Sequence, residues 1–117
     1  MIDADTYRRL ALAFPEAAES SHMGHPDFRV GGKIFATLGP AEGHGVAMLT
    51  PEQQEVMMSA RPRAFTPAAG AWGRRGSTRI MLDSVEESDL RTALGMAWRN
   101  KAPKRLVTET DAESDLG

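Results

Sequence analysis

The chain has 117 residues, of which 41% are hydrophobic and 26% are charged, and its net charge is −2. A chain of this size builds one core, and the absence of cysteine excludes disulfides and cysteine-based zinc sites. No apolar run approaches the roughly 20 residues of a membrane span, and the first ten residues lack a signal-peptide core. We therefore expect one small cytoplasmic domain with no membrane partner.

The first predicted elements are a helix and a series of short strands. Apolar residues at helical spacing predict a helix over residues 4–14, capped by Asp3 or Asp5 and closed by Pro15. Extended runs follow over residues 19–24, 27–30, 33–38 and 45–49, the last after a glycine-rich break at residues 39–45. Short runs of this kind, broken by glycine and proline, are typical of an antiparallel sheet.

Gly31 and Gly32 lie between two of these extended runs. A two-residue type I′ turn needs positive φ at both central positions, so two glycines predict a tight hairpin. The predicted register pairs Val30 with Lys33, Arg29 with Ile34 and Phe28 with Phe35. Since successive side chains of a strand alternate, Arg29 and Lys33 should lie on opposite faces.

A second helix is predicted after Thr50. Thr50 caps it, Pro51 suits its first turn and Gln53 completes a capping box, while Pro62 ends it. The residues expected to face inward are Val56, Met57 and Ala60. Residues 61–76 are rich in glycine and proline and predict a loop, with Phe65 and Trp72 as its anchors in the core.

A strand and a last helix complete the predicted domain. Residues 77–83 predict a strand with Thr78, Ile80 and Leu82 on one face and Arg79 and Met81 on the other. Ser84 and Glu87 predict a capping box for a helix that ends at Pro103, with an apolar stripe of Leu90, Leu94, Ala97 and Trp98. The order helix, strands, helix, strand, helix predicts an α+β fold with an antiparallel sheet.

The charges are unevenly distributed along the chain. Residues 106–117 hold four acidic and no basic side chains, and we expect a disordered acidic tail there, after a single domain over residues 1–105. No acidic residue lies between Glu55 and Asp83, an interval that contains Arg61, Arg63, Arg74, Arg75 and Arg79. Local charge steers an anionic partner more than net charge does, so this interval is a candidate basic surface. The alternative is a solvated loop whose arginines keep the chain soluble.

Three segments carry a family resemblance: "PDFRVGGKIFATL" at residues 26–38, "AWGRRGSTRIML" at 71–82 and "LGMAWRNKAPKRL" at 94–106. In this order they resemble the MmcQ/YjbR-like family of small bacterial proteins, over about residues 4–106. The resemblance implies a CyaY-like fold, in which helices cover a twisted antiparallel sheet. It also implies DNA binding through protruding hairpins, described as a double wing. One wing turn would be Gly31-Gly32, and the other would lie in residues 70–77.

The acid-free interval and the resemblance together predict weak, mostly sequence-independent DNA binding through the phosphate backbone. The predicted contacts are Arg74, Arg75 and Arg79, supported by Arg63, Arg29 and Lys33. The runner-up is a protein-interaction module that uses a sheet face with Met81 and has no nucleic-acid role. A small-ligand site between sheet and helices is a third possibility. Trp72 could stack on an exposed base, although burial as a core anchor is the commoner role of tryptophan.

The remaining polar residues do not predict catalysis or metal binding. His22 and His25 lie in an extended run, His44 is far along the chain, and no carboxylate cluster accompanies them. The run Ser20-Ser21-His22 has no motif that would orient a base, and a strand rather than a helix follows the glycine-rich segment at residues 70–76. We expect no enzyme activity, no metal and no cofactor.

Overall fold

The computed structural model describes residues 1–39 and 43–116. Residues 40–42, in the predicted glycine-rich break, and Gly117, the last residue of the predicted tail, lie outside the described residues. The strands are Ala18–His22 (β1), His25–Val30 (β2), Lys33–Gly39 (β3), His44–Met48 (β4), Phe65–Pro67 (β5) and Ser77–Met81 (β6). The helices are Ala4–Leu12 (α1), Pro51–Ala60 (α2), Gly70–Arg74 (α3), Glu87–Lys101 (α4) and Lys104–Leu116 (α5).

The strands form one antiparallel sheet in the order β1-β2-β3-β4-β6-β5, which confirms the predicted α+β fold. Helices α1 and α4 pack against β3, and α2 lies beside α4, to which it is joined by a bond from Asn100 to Gln53 of 2.8 Å. On this helical face a buried row runs across four strands, made of Phe28, Ala36, Ala47 and Thr78. On the second face the corresponding row is Asp27, Thr37, Val46, Arg79 and Thr66.

Aromatic side chains fill the core between the sheet and its helices. Trp98 is 1% exposed, stacks on Phe14 with ring centroids 6.0 Å apart and donates from Nε1 to the Pro15 carbonyl at 3.0 Å. Tyr7 is fully buried and donates to the Thr37 carbonyl at 2.9 Å, and its burial raises the pKa of the phenol. Gly45 has no side chain because a Cβ there would collide with the Tyr7 ring.

Of the three helices predicted from the sequence, two begin with the predicted capping residue. Asp3 accepts from the Thr6 amide at 2.7 Å, and Thr50 and Gln53 form both bonds of the predicted capping box. The predicted box at the start of α4 is wrong. The cap residue is Glu86 without a side-chain bond, and Ser84 instead bonds to the neighbouring Asp83.

The inward face predicted for α2 is wrong at two of three positions. Met57 is buried, but Val56 is 59% exposed and Ala60 is exposed as well. The helix packs on the core through Met57, with Met58 partly buried beside it, so a narrower stripe than predicted faces inward. On α4 the predicted stripe is confirmed, since Leu90, Leu94, Ala97 and Trp98 are all buried.

The β2–β3 hairpin has the predicted turn and part of the predicted register. Gly31 and Gly32 have φ of 58° and 78°, and Arg29 pairs with Ile34 next to the turn. A β-bulge then shifts the register, so Phe28 pairs with Ala36 and the predicted pairing with Phe35 is wrong. The bulge lets consecutive residues Phe35 and Ala36 both be buried.

Two segments contain more regular structure than the sequence predicted. Residues 61–76, predicted as loop, include strand β5 and the short helix α3. Residues 104–116 form helix α5 where a disordered tail was predicted, because Leu106 is buried in the core and Asp111 bonds to Arg99. None of the helices in the described residues is both long and apolar enough to cross a membrane.

Candidate functional site

The strand directions bring the two glycine turns to the same end of the sheet. The Gly31-Gly32 turn joins the end of β2 to the start of β3, and α3 joins the end of β5 to the start of β6. Met48, at the end of β4, pairs with Ser77, at the start of β6, so β4 also finishes there. Two strand spacings, or about 10 Å, separate β3 from β6.

Glycines shape helix α3 and the chain on either side of it. Gly70 has φ 66° at its start and Gly76 has φ 114° just after it, a region that side chains disfavour. A Cβ on Gly73 would collide with the Ala68 carbonyl oxygen, so only glycine permits this approach of α3 to the end of β5. Gln54 of α2 fixes the other side by donating to the carbonyls of Gly73 and Ser77 at 3.0 and 3.1 Å.

Trp72 projects from α3 into solvent. Its side chain is 65% exposed, so its predicted role as a core anchor is wrong; Phe65, the other predicted anchor, is buried. The five residues of α3 pack on β6 through Gly73, which leaves the larger side chains outside. The guanidinium of Arg75 lies over the indole, 6.0 Å from the ring centroid, in cation–π geometry.

Trp72 and Arg75 border a cavity of about 430 Å³. Its other walls are the end of β4, the start of α2 and the end of α4, and the residues include Met48, Thr50, Asn100 and Lys101. Asn100 is held in place by donating to the Met48 carbonyl at 3.0 Å. None of the described residues lining the cavity is acidic.

The corner between α4 and α5 adds further positive charge beside the hairpin turn. A Cβ on Gly31 would lie 3.0 Å from the ring of Pro103, so the turn and this corner are in contact. Lys33 follows the turn and is exposed, as is Lys104, which follows Pro103. We call this end of the sheet, with Lys33, Arg74, Arg75, Lys101 and Lys104, the basic end.

Arg29 is not available in the way that the sequence predicted. Its guanidinium donates to both carboxylate oxygens of the fully buried Asp27, at 2.8 and 3.1 Å. His22 Nδ1 lies 2.8 Å from the same carboxylate. The hydrogen bond from Arg29 is the main cause that holds the pKa of Asp27 below its usual value, and the pKa of Arg29 is raised in return.

Arg79 and Arg63 lie away from the basic end. Arg79 is in the middle of the second face, between Val46 and Thr66, and its Nε is buried with no hydrogen-bond partner among the described residues. Arg63 precedes β5 and lies near Ser84, at the opposite end of the sheet. The structure therefore places Arg74, Arg75 and Lys33 at the same end of the sheet, with Arg29 near that end but bound to Asp27. Arg63 and Arg79 lie elsewhere.

Acidic residues occupy that opposite end. The amide of Ile2 donates to the Leu82 carbonyl at 2.8 Å, which places the start of α1 beside the end of β6. Asp3 and Asp5 lie in this part of α1, and Asp83 and Glu86 lie between β6 and α4. This end also holds Arg63 and Arg61, which pairs with Asp89, and Glu52 lies in the first turn of α2 next to the basic end. The two ends therefore differ in their balance of charge, with acidic side chains in excess at the starts of α1 and α4.

Two lysines of the basic end were missed by sequence reasoning. Lys101 lies in the last turn of α4, where a cation also favours the helix dipole, and Lys104 begins α5. The signal available was the run "NKAPKRL" at residues 100–106, in which three cations fall within five residues. In residues 1–39 and 43–116 no group of three or more histidine, aspartate or glutamate side chains is arranged to hold a metal ion.

Comparison with known proteins identifies the family. The YjbR family model matches residues 12–100. The chain belongs to the YjbR family. This match includes both glycine turns and all of α2 and β6, and it ends one residue before the end of α4.

A solved structure shows the same fold. The chain is similar to the crystal structure of the Deinococcus radiodurans protein DR2400, which carries the domain DUF419, with a TM-score of 0.71 and 19% sequence identity. The similarity covers 84% of this chain and 77% of that one. No curated protein matches the chain. The family and its fold are thus shown, and the activity has to be argued from the site.

Proposed function

We propose that this YjbR-family chain binds DNA through its basic end, weakly and with little dependence on sequence, and without catalysis. The observation that carries the proposal is the grouping of Lys33, Arg74, Arg75, Lys101 and Lys104 at one end of the sheet. Cations from the β2–β3 hairpin, α3 and the α4–α5 corner gather at one end of the sheet, and the acidic starts of α1 and α4 lie at the other.

The net charge of −2 does not oppose such binding. Strand β6 alone separates the two ends by about 13 Å, at roughly 3.3 Å per residue. The Debye length is about 8 Å at physiological ionic strength, so the acidic end is largely screened from a phosphate at the basic end. The local charge therefore decides the interaction.

The side chains at the basic end suit phosphate contacts. Arg74 and Arg75 follow one another at an exposed turn, and each offers a planar set of N–H donors. Lys33 and Lys104 are exposed next to the other turn. Contacts of this kind position a protein on DNA without reading bases, which is why the proposed binding is weak and sequence-independent.

The test is a fluorescence anisotropy titration of labelled DNA with the full chain, at several salt concentrations and on two unrelated sequences. Four phosphate contacts predict a slope of about −3.6 in a plot of log K against log salt for a duplex, and equal affinity for both sequences. A flat salt dependence would refute the phosphate contacts. Absence of binding at low salt would refute the proposed function.

Single-arginine variants locate the interface. Arg75→Ala should weaken binding and reduce the salt slope by about 1, whereas Arg63→Ala removes the same charge at the far end and should change affinity less than about 2-fold. Arg79→Ala tests an approach over the second face. A larger effect of Arg79→Ala than of Arg75→Ala would move the interface from the basic end to that face.

The protein-interaction alternative makes a separate prediction. It would use the second face, where Val46, Arg79 and Met81 are half-buried. It predicts indifference to DNA together with a concentration-dependent molar mass in sedimentation, if the partner is a second copy. Substitution of Met81 by lysine would then restore the monomer, and the same variant should leave DNA binding at the basic end unchanged.

A further inference from the structure

We infer that Trp72 stacks on an unpaired base, so that the DNA bound best by this chain is single-stranded or gapped rather than fully paired. The inference rests on the proposed function and adds the class of DNA. It starts from the position of Trp72, which is 65% exposed beside Arg75 and lines a cavity with Lys101. Trp98, the second of the two tryptophans, is 1% exposed in the core.

Close packing and hydrogen bonds hold α3, the short helix that carries Trp72. Gly73 packs against Ala68 so closely that no Cβ fits, and Gln54 holds the carbonyls of Gly73 and Ser77. Gly76 likewise leaves no room for a Cβ beside the Leu49 carbonyl. An aromatic ring on a fixed support loses little freedom when a base stacks on it, which favours binding.

The surroundings of the ring suit one nucleotide. The cavity of about 430 Å³ beside Trp72 falls in the size range of small-molecule sites. Arg75 and Lys101 are cations for a phosphate group, and Asn100 and Thr50 are polar groups on the same walls. The cation–π contact of Arg75 orients the indole and keeps a positive charge beside it.

The preference for unpaired DNA follows from this geometry, because an aromatic ring can stack on a base only where the face of that base is accessible. In a duplex each face is covered by its neighbours, so Trp72 could contact only the backbone. In single-stranded DNA the faces are free, and binding to aromatic side chains is tolerant of sequence. The inferred preference is therefore compatible with weak sequence dependence.

The experiment compares a single-stranded 12-mer with its duplex, using the full chain. We expect the wild type to bind the single strand more tightly, with quenching of tryptophan emission. Trp72→Ala should weaken single-strand binding about 10-fold or more and duplex binding by less than about 2-fold. Trp72→Phe leaves Trp98 as the single tryptophan and should lose the quenching while it keeps part of the affinity.

Val56→Ala is the matched control, since Val56 is another large apolar side chain exposed on a helix, at 59%. It should change neither affinity. Emission from the buried Trp98 verifies that each variant is folded.

The outcomes separate the inference from the proposed function. Equal binding of both DNAs with no effect of Trp72→Ala would overturn the stacking inference and leave DNA binding intact. An equal loss for both DNAs would also overturn it, since Trp72 would then be a general contact. Tighter binding of an RNA strand of the same sequence would overturn the assignment to DNA. No binding of any strand by the wild type would overturn the proposed function as well.

Discussion

Gln54 provides the sharpest test of how α2 positions the basic end. Its Nε2 donates to the Gly73 and Ser77 carbonyls at 3.0 and 3.1 Å and so joins α2 to helix α3 and to the start of β6. Gln54→Ala removes both bonds and keeps helix propensity, since alanine is the best helix former. We expect α3 to loosen while the sheet stays folded.

The size of the effect depends on the hydrogen bonds that the two carbonyls keep when Gln54 is replaced. The Gly73 carbonyl still accepts from the Gly76 amide at 3.1 Å, and the Ser77 carbonyl from the Ala68 amide at 2.9 Å. Neither acceptor is left without a partner, so the cost is the net value of two hydrogen bonds rather than a desolvation penalty. That value is about 1–2 kcal/mol in the free energy of unfolding.

Urea unfolding followed by Trp98 fluorescence measures this loss in a Trp72→Phe background. A cost of about 1–2 kcal/mol should lower the midpoint by about 0.5–1 M, for a slope near 2 kcal/mol per M. Amide exchange at Arg75 and Gly76 should accelerate more than exchange in α4. Glu55→Ala, at the exposed neighbouring position, should stay within about 0.5 kcal/mol of the parent. A midpoint as high as that of Glu55→Ala, with unchanged exchange in α3, would refute the reasoning.

Five further substitutions, at four positions, test the fold. Because Arg29 lowers the pKa of Asp27, the ionised carboxylate stabilises the fold above the unfolded pKa of about 3.9, and this stabilisation is lost as pH falls through the lower folded pKa. Asp27→Asn should lower the free energy of unfolding by about 1–3 kcal/mol at pH 7. Below about pH 4, urea unfolding of this variant should depend less on pH than that of the wild type. Thr50→Ala should lower the free energy of unfolding by about 1 kcal/mol in the same assay because the capping bond to the Gln53 amide is lost. Thr50→Ser, which keeps the hydroxyl, should restore most of this stability. Gly76→Ala should lower the free energy of unfolding by more than about 3 kcal/mol, or prevent folding, because its Cβ would collide with the Leu49 carbonyl. Gly32→Ala, at positive φ but with open space, should lower it by about 1–2 kcal/mol in thermal melts.

The predictions that succeeded depend on neighbours in sequence. The Thr50–Gln53 capping box, the positive φ at Gly31 and Gly32 and the buried stripe of α4 are each encoded within a few residues. Local rules also gave the α+β class, because alternating strands and helical periods need no knowledge of distant contacts. The bulge opposite Phe28 was not predictable in this way, since it depends on which side chains the helices cover.

The candidate site was less predictable because its residues meet only through the sheet. Arg63 and Arg75 lie in the same acid-free interval, yet strand β5 runs between them and places them at opposite ends of the sheet. Arg29 is close to the turn in sequence, but a buried Asp27 two residues away binds it. Trp72 looked like a core residue by composition, and only the close packing of Gly73 explains why its side chain lies outside.

Helix α5 brings one acidic residue of the predicted tail against a cation of α4. Asp111 forms two bonds with Arg99, at 2.7 and 3.1 Å, which lower the pKa of Asp111 and raise that of Arg99. Arg99 lies two residues before Lys101 in the last turn of α4, so without this pair it would add to the positive charge there. DNA that reached Arg99 would have to displace a carboxylate already held at short range. If the chain binds DNA as proposed, this pair should lower the affinity because it occupies one cation of α4, while Lys101 lines the cavity beside Trp72.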